Sequence, residues 1–448
     1  MNIIEEFDTI AAIATPFGNG GVGVIRISGD KSFEIAEKIF TNPDFKPQKF
    51  NHGWIVDGEI KIDEVIVLPF FSPNSYTGEN VIEIQCHGGV NVVKNILNLV
   101  LRHGARMAEK GEFTKRAFLN KKMDLSQAEA VADIIHSKTS EFAKVSVKNL
   151  SGSLKFKTDA IRNKIFEVLS KITAGIDFPE DVKEPEYEYL TETFENIIKD
   201  IDTVLLGAKA SDILRQGISV AVIGKPNVGK SSLFNALLNH DRAIVTDIAG
   251  TTRDVIKETL DLGIPVTLID TAGIRGLNEN EDKVESIGIE YSKQSLNEAD
   301  LILFVYDISE GLTEEDNKIL DLVKDKNCIM VGNKSDIQSG NQKNTINSLY
   351  ISALTGEGID DLKRVLISKV CDIEPENLEY VTNSRQQACL NRAKSALEQA
   401  LIASQLKELQ DLISIDVKSA LLALDELTGE LITDDILDNI FENFCIGK

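Results

Sequence analysis

Apolar residues recur at steps of three and four through Leu190, Phe194, Ile197, Ile198, Ile201, Val204 and Leu205, which predicts one amphipathic helix closing near Gly217. The same spacing runs through Ile161, Ile165, Val168, Leu169 and Ile172, and again through Ile436, Leu437, Ile440, Phe441 and Phe444. Each stripe needs a partner helix to bury it. Between about 217 and 370 the pattern changes. Short β-rich runs (Ile218–Ile223, Val266–Ile269, Leu301–Tyr306, Cys328–Val331) alternate with helical stretches, as in a doubly wound parallel α/β domain. Residues 1–119 mix short strands, turns and two predicted helices. The expected fold is therefore multidomain: an α+β unit over 1–119, an all-α helical domain over 120–215 and 373–448, and an α/β domain inserted between them over 216–372.

Composition narrows the partners. The 448 residues carry 48 Lys and Arg against 71 Asp and Glu, a net charge of −23, so the surface repels phosphate backbones at long range. Neither sequence-blind coating of nucleic acid nor a DNA partner is expected. Five cysteines, at 86, 328, 371, 389 and 445, have no C-x-x-C spacing and suggest neither disulfides nor a zinc cage. Glu5, Glu6 and Asp8 stand where a signal peptide carries basic residues, and runs such as Val65–Phe71 fall short of the roughly 18–20 residues of a membrane span. A cytoplasmic location away from membranes is expected.

Candidate chemistry gathers in the α/β stretch. Gly224-Lys225-Pro226-Asn227-Val228-Gly229-Lys230-Ser231 fits G-x-x-x-x-G-K-[ST] and lies between a predicted strand and a predicted helix. Such a loop points backbone N–H groups at phosphates, its Lys230 reaches the β and γ oxygens, and Ser231 offers a hydroxyl to Mg²⁺. Asp270-Thr271-Ala272-Gly273 follows the next strand, where a carboxylate can hold Mg²⁺ through water. In Asn333-Lys334-Ser335-Asp336 a carboxylate can accept both N–H groups on the guanine edge, which selects GTP over ATP. Ser352-Ala353 can offer a backbone N–H to the guanine carbonyl. Gly250-Thr251-Thr252 falls where a first switch belongs, with Thr252 the choice for the Mg²⁺ shell. After Gly273 stands Ile274, which cannot orient an attacking water, so another group must do so, with Arg275, Glu279, Glu281 and Glu285 as the candidates.

With these motifs in hand, the whole chain resembles the tRNA-modification GTPase family MnmE, also called TrmE. The resemblance includes Gly21 to Gly29, Gln85-Cys86-His87-Gly88-Gly89, Gly111-Glu112-Phe113, Phe118-Leu119-Asn120 and the ending Cys445-Ile446-Gly447-Lys448. It implies a folate-binding N-terminal domain that makes a homodimer, a split helical domain and an inserted G domain. It further implies a partnership with an MnmG-type flavoprotein, in a heterotetramer, that adds an aminomethyl or carboxymethylaminomethyl group to the tRNA wobble uridine. The GTP contacts it implies are Asn227, Val228, Gly229, Lys230, Ser231 and Ser232, then Thr246, Asp247, Ile248, Ala249, Gly250, Thr251 and Thr252. Asp270, Thr271, Ala272, Gly273, Asn333, Lys334, Asp336, Ser352 and Ala353 complete the set. K⁺, in place of an arginine finger, is expected on Asn227, Thr246, Ile248 and Thr251, and Glu285 matches the acid that orients the water. A tetrahydrofolate derivative is expected at Arg26, Glu83, Lys122 and Lys448, with a chemical role for Cys445.

Two alternative readings share parts of this pattern. A ribosome-assembly GTPase carries a basic extension or a second G domain, yet the last 45 residues hold three Lys and no Arg against ten acids, and no second phosphate loop occurs. A non-catalytic nucleotide-gated adaptor is permitted by Ile274. Gly18 to Gly23 contains G-x-G-x-x-G but leads into a strand, and Gly447 and Lys448 do not suit a prenylation box. The negative charge sits awkwardly with tRNA, for which Lys110, Lys115, Arg116, Lys121 and Lys122 offer a local basic stretch.

Overall fold

A computed structural model of the chain describes residues 8–47, 49–240, 257–270, 299–337, 348–371 and 377–448. It divides into two units. One comprises Met1–Ala132, Thr158–Ser170 and Ser414–Lys448, the other Asp133–Lys157 and Lys171–Ile413.

The first unit opens with β1 (Ile10–Ile13), β2 (Val22–Ser28), α1 (Ser32–Ile39), β3 (Asn51–Asp57), β4 (Ile60–Phe70), β5 (Val81–His87), α2 (Val90–Arg102) and β6 (Arg106–Met107). The strands form one sheet in the order β3-β4-β5-β2-β1-β6, antiparallel except for the β1–β6 pair. Ile25, Ile27, Ile82, Ile84 and Val67 of the sheet bury against Ile35 and Ile39 of α1 and Ile96 of α2. Then come α3 (Glu112–Leu119) and α4 (Leu125–His136). Residues 1–119 thus hold three helices among those described, one more than the pattern predicts. The third, α3, is eight residues long and its buried apolar positions are Phe113 and Ala117 alone, too few for a visible stripe.

The expected basic stretch is largely consumed by structure. Arg116 is buried, with its guanidinium on Glu79 and Glu112, while Lys115 pairs with Asp438 at 2.7 Å. Arg116 therefore does not belong to a basic surface open to tRNA, because α3 turns it inward.

In the second unit, α5 (Ser140–Leu150) precedes α6 (Ser153–Asp177), whose middle belongs to the first unit. Next are α7 (Tyr187–Leu205) and α8 (Ala208–Gln216). The single helix expected up to Gly217 is therefore two. The buried stripe Leu190, Phe194, Ile197, Ile201 and Val204 ends with α7, and Gly207, a residue that weakens a helix interior by about 1 kcal/mol relative to Ala, begins the next helix. There follow β7 (Ile218–Ile223), α9 (Lys230–His240), β8 (Lys257–Asp261), β9 (Pro265–Asp270), β10 (Leu301–Asp307), α10 (Glu314–Val323), β11 (Cys328–Asn333), β12 (Ser348–Tyr350), α11 (Ile359–Val370) and α12 (Ser384–Gln405). The sheet order is β12-β11-β10-β7-β9-β8, parallel except for β8. Every residue of β10 is buried, because Leu301, Leu303 and Val305 face one apolar cluster and Ile302, Phe304 and Tyr306 the other. A sheet covered on both faces produces such an unbroken apolar run. α7 packs on α12, with Thr191 and Ser404 hydroxyls 3.0 Å apart and Lys394 on Asp202 at 2.7 Å.

The chain closes with α13 (Gln410–Thr428) and α14 (Asp434–Phe441). Leu437, Phe441 and Phe444 are buried as the periodicity predicts. Among the described residues, no helix is long and apolar enough to cross a membrane, and no cluster of His, Cys, Asp and Glu could hold a metal.

Candidate functional site

The phosphate loop starts where β7 ends, and parallel strands collect ligands at their carboxyl ends. Two features of its backbone follow from its residue types. Asn227 sits at φ +65°, which Asn tolerates better than most side chains. Gly229 sits at φ +95°, and a Cβ there would lie 2.2 Å from the Asn333 Nδ2. Lys230 Nζ donates to the carbonyls of Gly224 and Lys225 at 2.8 and 2.7 Å, folding its ammonium over the loop. Ser231 and Ser232, at the start of α9, are exposed. Four N–H groups at a helix start have no intrahelical acceptor, so they are available to an anion.

The base side is built from the ends of β11 and β12. Asn333, almost fully buried, does not face outward: its Nδ2 donates to the Val228 carbonyl at 2.9 Å and its Oδ1 accepts the Ala353 N–H at 3.0 Å. It therefore fastens the phosphate loop to the loop after β12. Lys334, at φ +69°, pairs with Asp307 at 2.5 Å. Burial works to raise the Asp307 carboxyl, but Lys334 and the hydrogen bonds from Ser309 outweigh it and hold the group below its ordinary range. Asp336 is exposed, and its Oδ1 accepts the buried Ser352 hydroxyl at 2.5 Å. That contact orients the carboxylate, and Oδ2 together with the second lone pair of Oδ1 can accept two further donors. Replacing Gly229 by Ala is expected to push Asn333 off Val228. Nucleotide affinity should drop and the melting temperature should fall, at about 1–3 kcal/mol of strain, checked by nucleotide titration and thermal melts.

A second cluster lies in the first unit. Arg26 and Glu83 are directly paired residues of β2 and β5, and Arg26 Nε meets Glu83 Oε1 at 2.8 Å. The guanidinium also lies over the rings of Tyr76 and Phe113, 5.1 and 5.5 Å from their centroids, and donates to the Gly447 carbonyl at 3.3 Å. Burial, then the nearby Arg26, lower the Lys448 ammonium below its usual range, with Glu83 and Cys445 opposing. An anion would relieve that crowding of cations. Arg26, Glu83 and Lys448 are thus brought together. Lys122 is not in contact with them: it is exposed and donates to the Pro73 carbonyl at 2.9 Å, on the loop that carries Tyr76. Cys445 is exposed. By contrast, burial and Asp63 push the Cys86 thiol up to about 11, as suits a core residue.

Several expected residues lie outside the described residues: Thr246, Asp247, Ile248, Ala249, Gly250, Thr251, Thr252, Thr271, Ala272, Gly273 and Glu285. Of Asp270 only the backbone, at the end of β9, is described. The motif reading overlooked Lys225, Thr313 and Asp316, which meet beside the phosphate loop. The capping signature Thr313-x-x-Asp316 was the signal that could have found two of them.

A six-stranded sheet with a glycine-rich phosphate loop after one strand and Asn-Lys-x-Asp after another defines a P-loop GTPase domain. The family model described as MnmE helical domain matches residues 125–445, and that of the GTP-binding protein TrmE N-terminus matches 9–122. The chain belongs to the MnmE family of tRNA modification GTPases, and it is a GTP hydrolase. It is 46% identical to the tRNA modification GTPase MnmE of Clostridioides difficile, over 98% of this chain and 99% of that one. It is 44% identical to that of Thermotoga petrophila, over 98% and 100%. Among solved structures, a variant of Era from Aquifex aeolicus bound to GDP and aluminium fluoride is 30% identical, covering 40% of this chain and 66% of that chain with a TM-score of 0.27.

Proposed function

We propose that this chain is a K⁺-stimulated GTPase that acts on tRNA with an MnmG-type flavoprotein. Together they add an aminomethyl or carboxymethylaminomethyl group to the wobble uridine from a folate one-carbon unit. The observation that carries the reading is the coexistence of two built clusters in one chain: the nucleotide loops joined by Asn333, and Arg26, Glu83 and Lys448 gathered with aromatic rings. On this reading residues 1–119 bind folate and make the homodimer, 120–215 and 373–448 form the helical domain, and 216–372 form the G domain. The setting is cytoplasmic, and the flavoprotein completes a heterotetramer that supplies much of the grip on tRNA.

Each residue type suits its assignment. Lys230 and the loop N–H groups bind phosphates, Asp336 reads guanine while the Ala353 N–H, given to Asn333, holds the loop beside it, and the exposed Ser231 hydroxyl with Thr252 would hold Mg²⁺. When bound, that ion neutralises phosphate charge. Asn227, exposed in the loop, with Thr246, Ile248 and Thr251 would hold K⁺. Glu285 orients the attacking water. In the second cluster Arg26 and Lys448 suit the folate carboxylates and Glu83 the pterin donors, with Lys122 at the rim and Cys445 near the one-carbon unit.

Turnover measured in K⁺ and in Na⁺ tests the GTPase part. Hydrolysis is expected in K⁺ and only weakly in Na⁺, and Asn227→Ala should abolish the difference. Glu285→Ala should lower kcat strongly while leaving GTP affinity nearly unchanged, since water orientation matters most in the transition state. Equal turnover in both salts, or an Glu285→Ala variant with lost affinity and normal kcat, would contradict these roles.

A further inference from the structure

Lys225 occupies a position of the phosphate-loop motif at which any residue is accepted, and a cation there invites the reading of a second phosphate ligand. Its side chain goes elsewhere. Nζ donates to Thr313 Oγ1 at 3.0 Å and lies 3.1 Å from Asp316 Oδ2, with Glu310 at 3.6 Å. Asp316 is fully buried, and its Oδ1 has no hydrogen-bond partner among the described residues. Its other oxygen accepts both the backbone N–H and the hydroxyl of Thr313, at 2.9 and 2.7 Å, in the capping box that begins α10. The ammonium of Lys225 is therefore the close countercharge of a carboxylate with no access to water.

The backbone of the same residue is held from the other side. The Lys225 carbonyl accepts Lys230 Nζ at 2.7 Å, so the residue that meets the phosphates takes part of its position from residue 225. Lys225 thus links the phosphate-binding lysine to the first turn of α10 through one side chain and one carbonyl.

We propose that Lys225, Thr313 and Asp316 form an anchor that holds the phosphate loop in its binding shape, with Lys225 a positioning residue that does not bind phosphate. Two consequences separate an anchor from a ligand. An anchor shapes the loop for whichever nucleotide enters, so its loss weakens GDP and GTP alike, whereas a ligand of the γ-phosphate favours GTP. Removing the charge of Asp316 loosens an anchor, but it would release a ligand and strengthen its pull on phosphate.

The test is a titration of fluorescent GDP and GTP analogues into the full chain and its variants. Lys225→Met and Asp316→Asn should each weaken both nucleotides by about tenfold, since breaking a buried pair leaves the other group uncompensated. The double variant should bind no worse than the weaker single, as for residues acting through one contact. Lys225→Arg, which keeps the charge and donors, should restore most of the affinity. The anchor is overturned if Lys225→Met loses GTP selectively, if Asp316→Asn binds as tightly as wild type or more tightly, or if the two losses add. Should Asp316→Asn fail to fold, the GDP-to-GTP comparison for Lys225→Met and Lys225→Arg decides alone, because both changes leave the Thr313–Asp316 capping box of α10 in place.

Discussion

Replacing Asp336 by Asn will make the protein lose GTP and prefer xanthosine triphosphate. Guanine presents two adjacent N–H donors, and a carboxylate accepts both. Ser352 already donates to Oδ1 at 2.5 Å, which holds the carboxylate in one plane. An Asn side chain offers one acceptor and one donor in that plane, so the guanine amino group would meet another donor. Leaving such a group unsatisfied costs about 1–3 kcal/mol, or roughly 5- to 150-fold in affinity. Xanthine carries a carbonyl where guanine carries the amino group, and it matches the Asn. Titration of both nucleotides checks this, and unchanged GTP affinity in Asp336→Asn would remove Asp336 from the base site.

Deleting Cys445 to Lys448 should stop tRNA modification and weaken folate binding while GTP hydrolysis continues. The tail is fastened in the first unit by its own backbone. The carbonyls of Cys445 and Lys448 accept the N–H groups of Gly111 and Phe113 at 3.4 and 3.2 Å. Those are orphan donors at the start of α3, whose N-cap Gly111 supplies no side-chain acceptor. Gly447 permits the approach: it sits at φ +98°, and a Cβ would lie 2.2 Å from the Ile13 carbonyl oxygen. Deletion therefore uncaps α3, at about 1 kcal/mol, and removes Lys448 from beside Arg26 and Glu83. A melting temperature lowered slightly, with folate binding reduced and GTP turnover intact, is the expected set of measurements. Normal tRNA modification by the truncated chain would exclude the tail from the chemistry.

What the sequence made legible was whatever lies within one element and its flanking turn. The strands β7, β9, β10 and β11 begin and end within two residues of their apolar runs, and the motifs fall at the carboxyl ends those strands require. The buried positions of α7 and α14 follow the stripes read from spacing. Contacts set by register and by packing were not legible. Arg26 meets Glu83 because β2 pairs with β5, and it meets Gly447 across 421 positions, so no local pattern could connect them without the family resemblance. Arg116 reads as one of several surface cations until α3 turns it onto Glu79 and Glu112. The motif names Asn333 as a base contact, whereas its side chain spends both ends on protein groups. Lys225 was hidden for the opposite reason: the motif declares its identity irrelevant.

On the function proposed above, GTP hydrolysis by this chain drives tRNA modification with a flavoprotein partner. The direct measurement is the modified wobble uridine content of tRNA after incubation with this chain, an MnmG-type flavoprotein, a reduced folate one-carbon donor and either GTP or a non-hydrolysable analogue. Modified nucleoside should accumulate with GTP in K⁺, and should be absent with the analogue or without either protein. Equal modification with the analogue, or modification by the flavoprotein alone, would contradict the account.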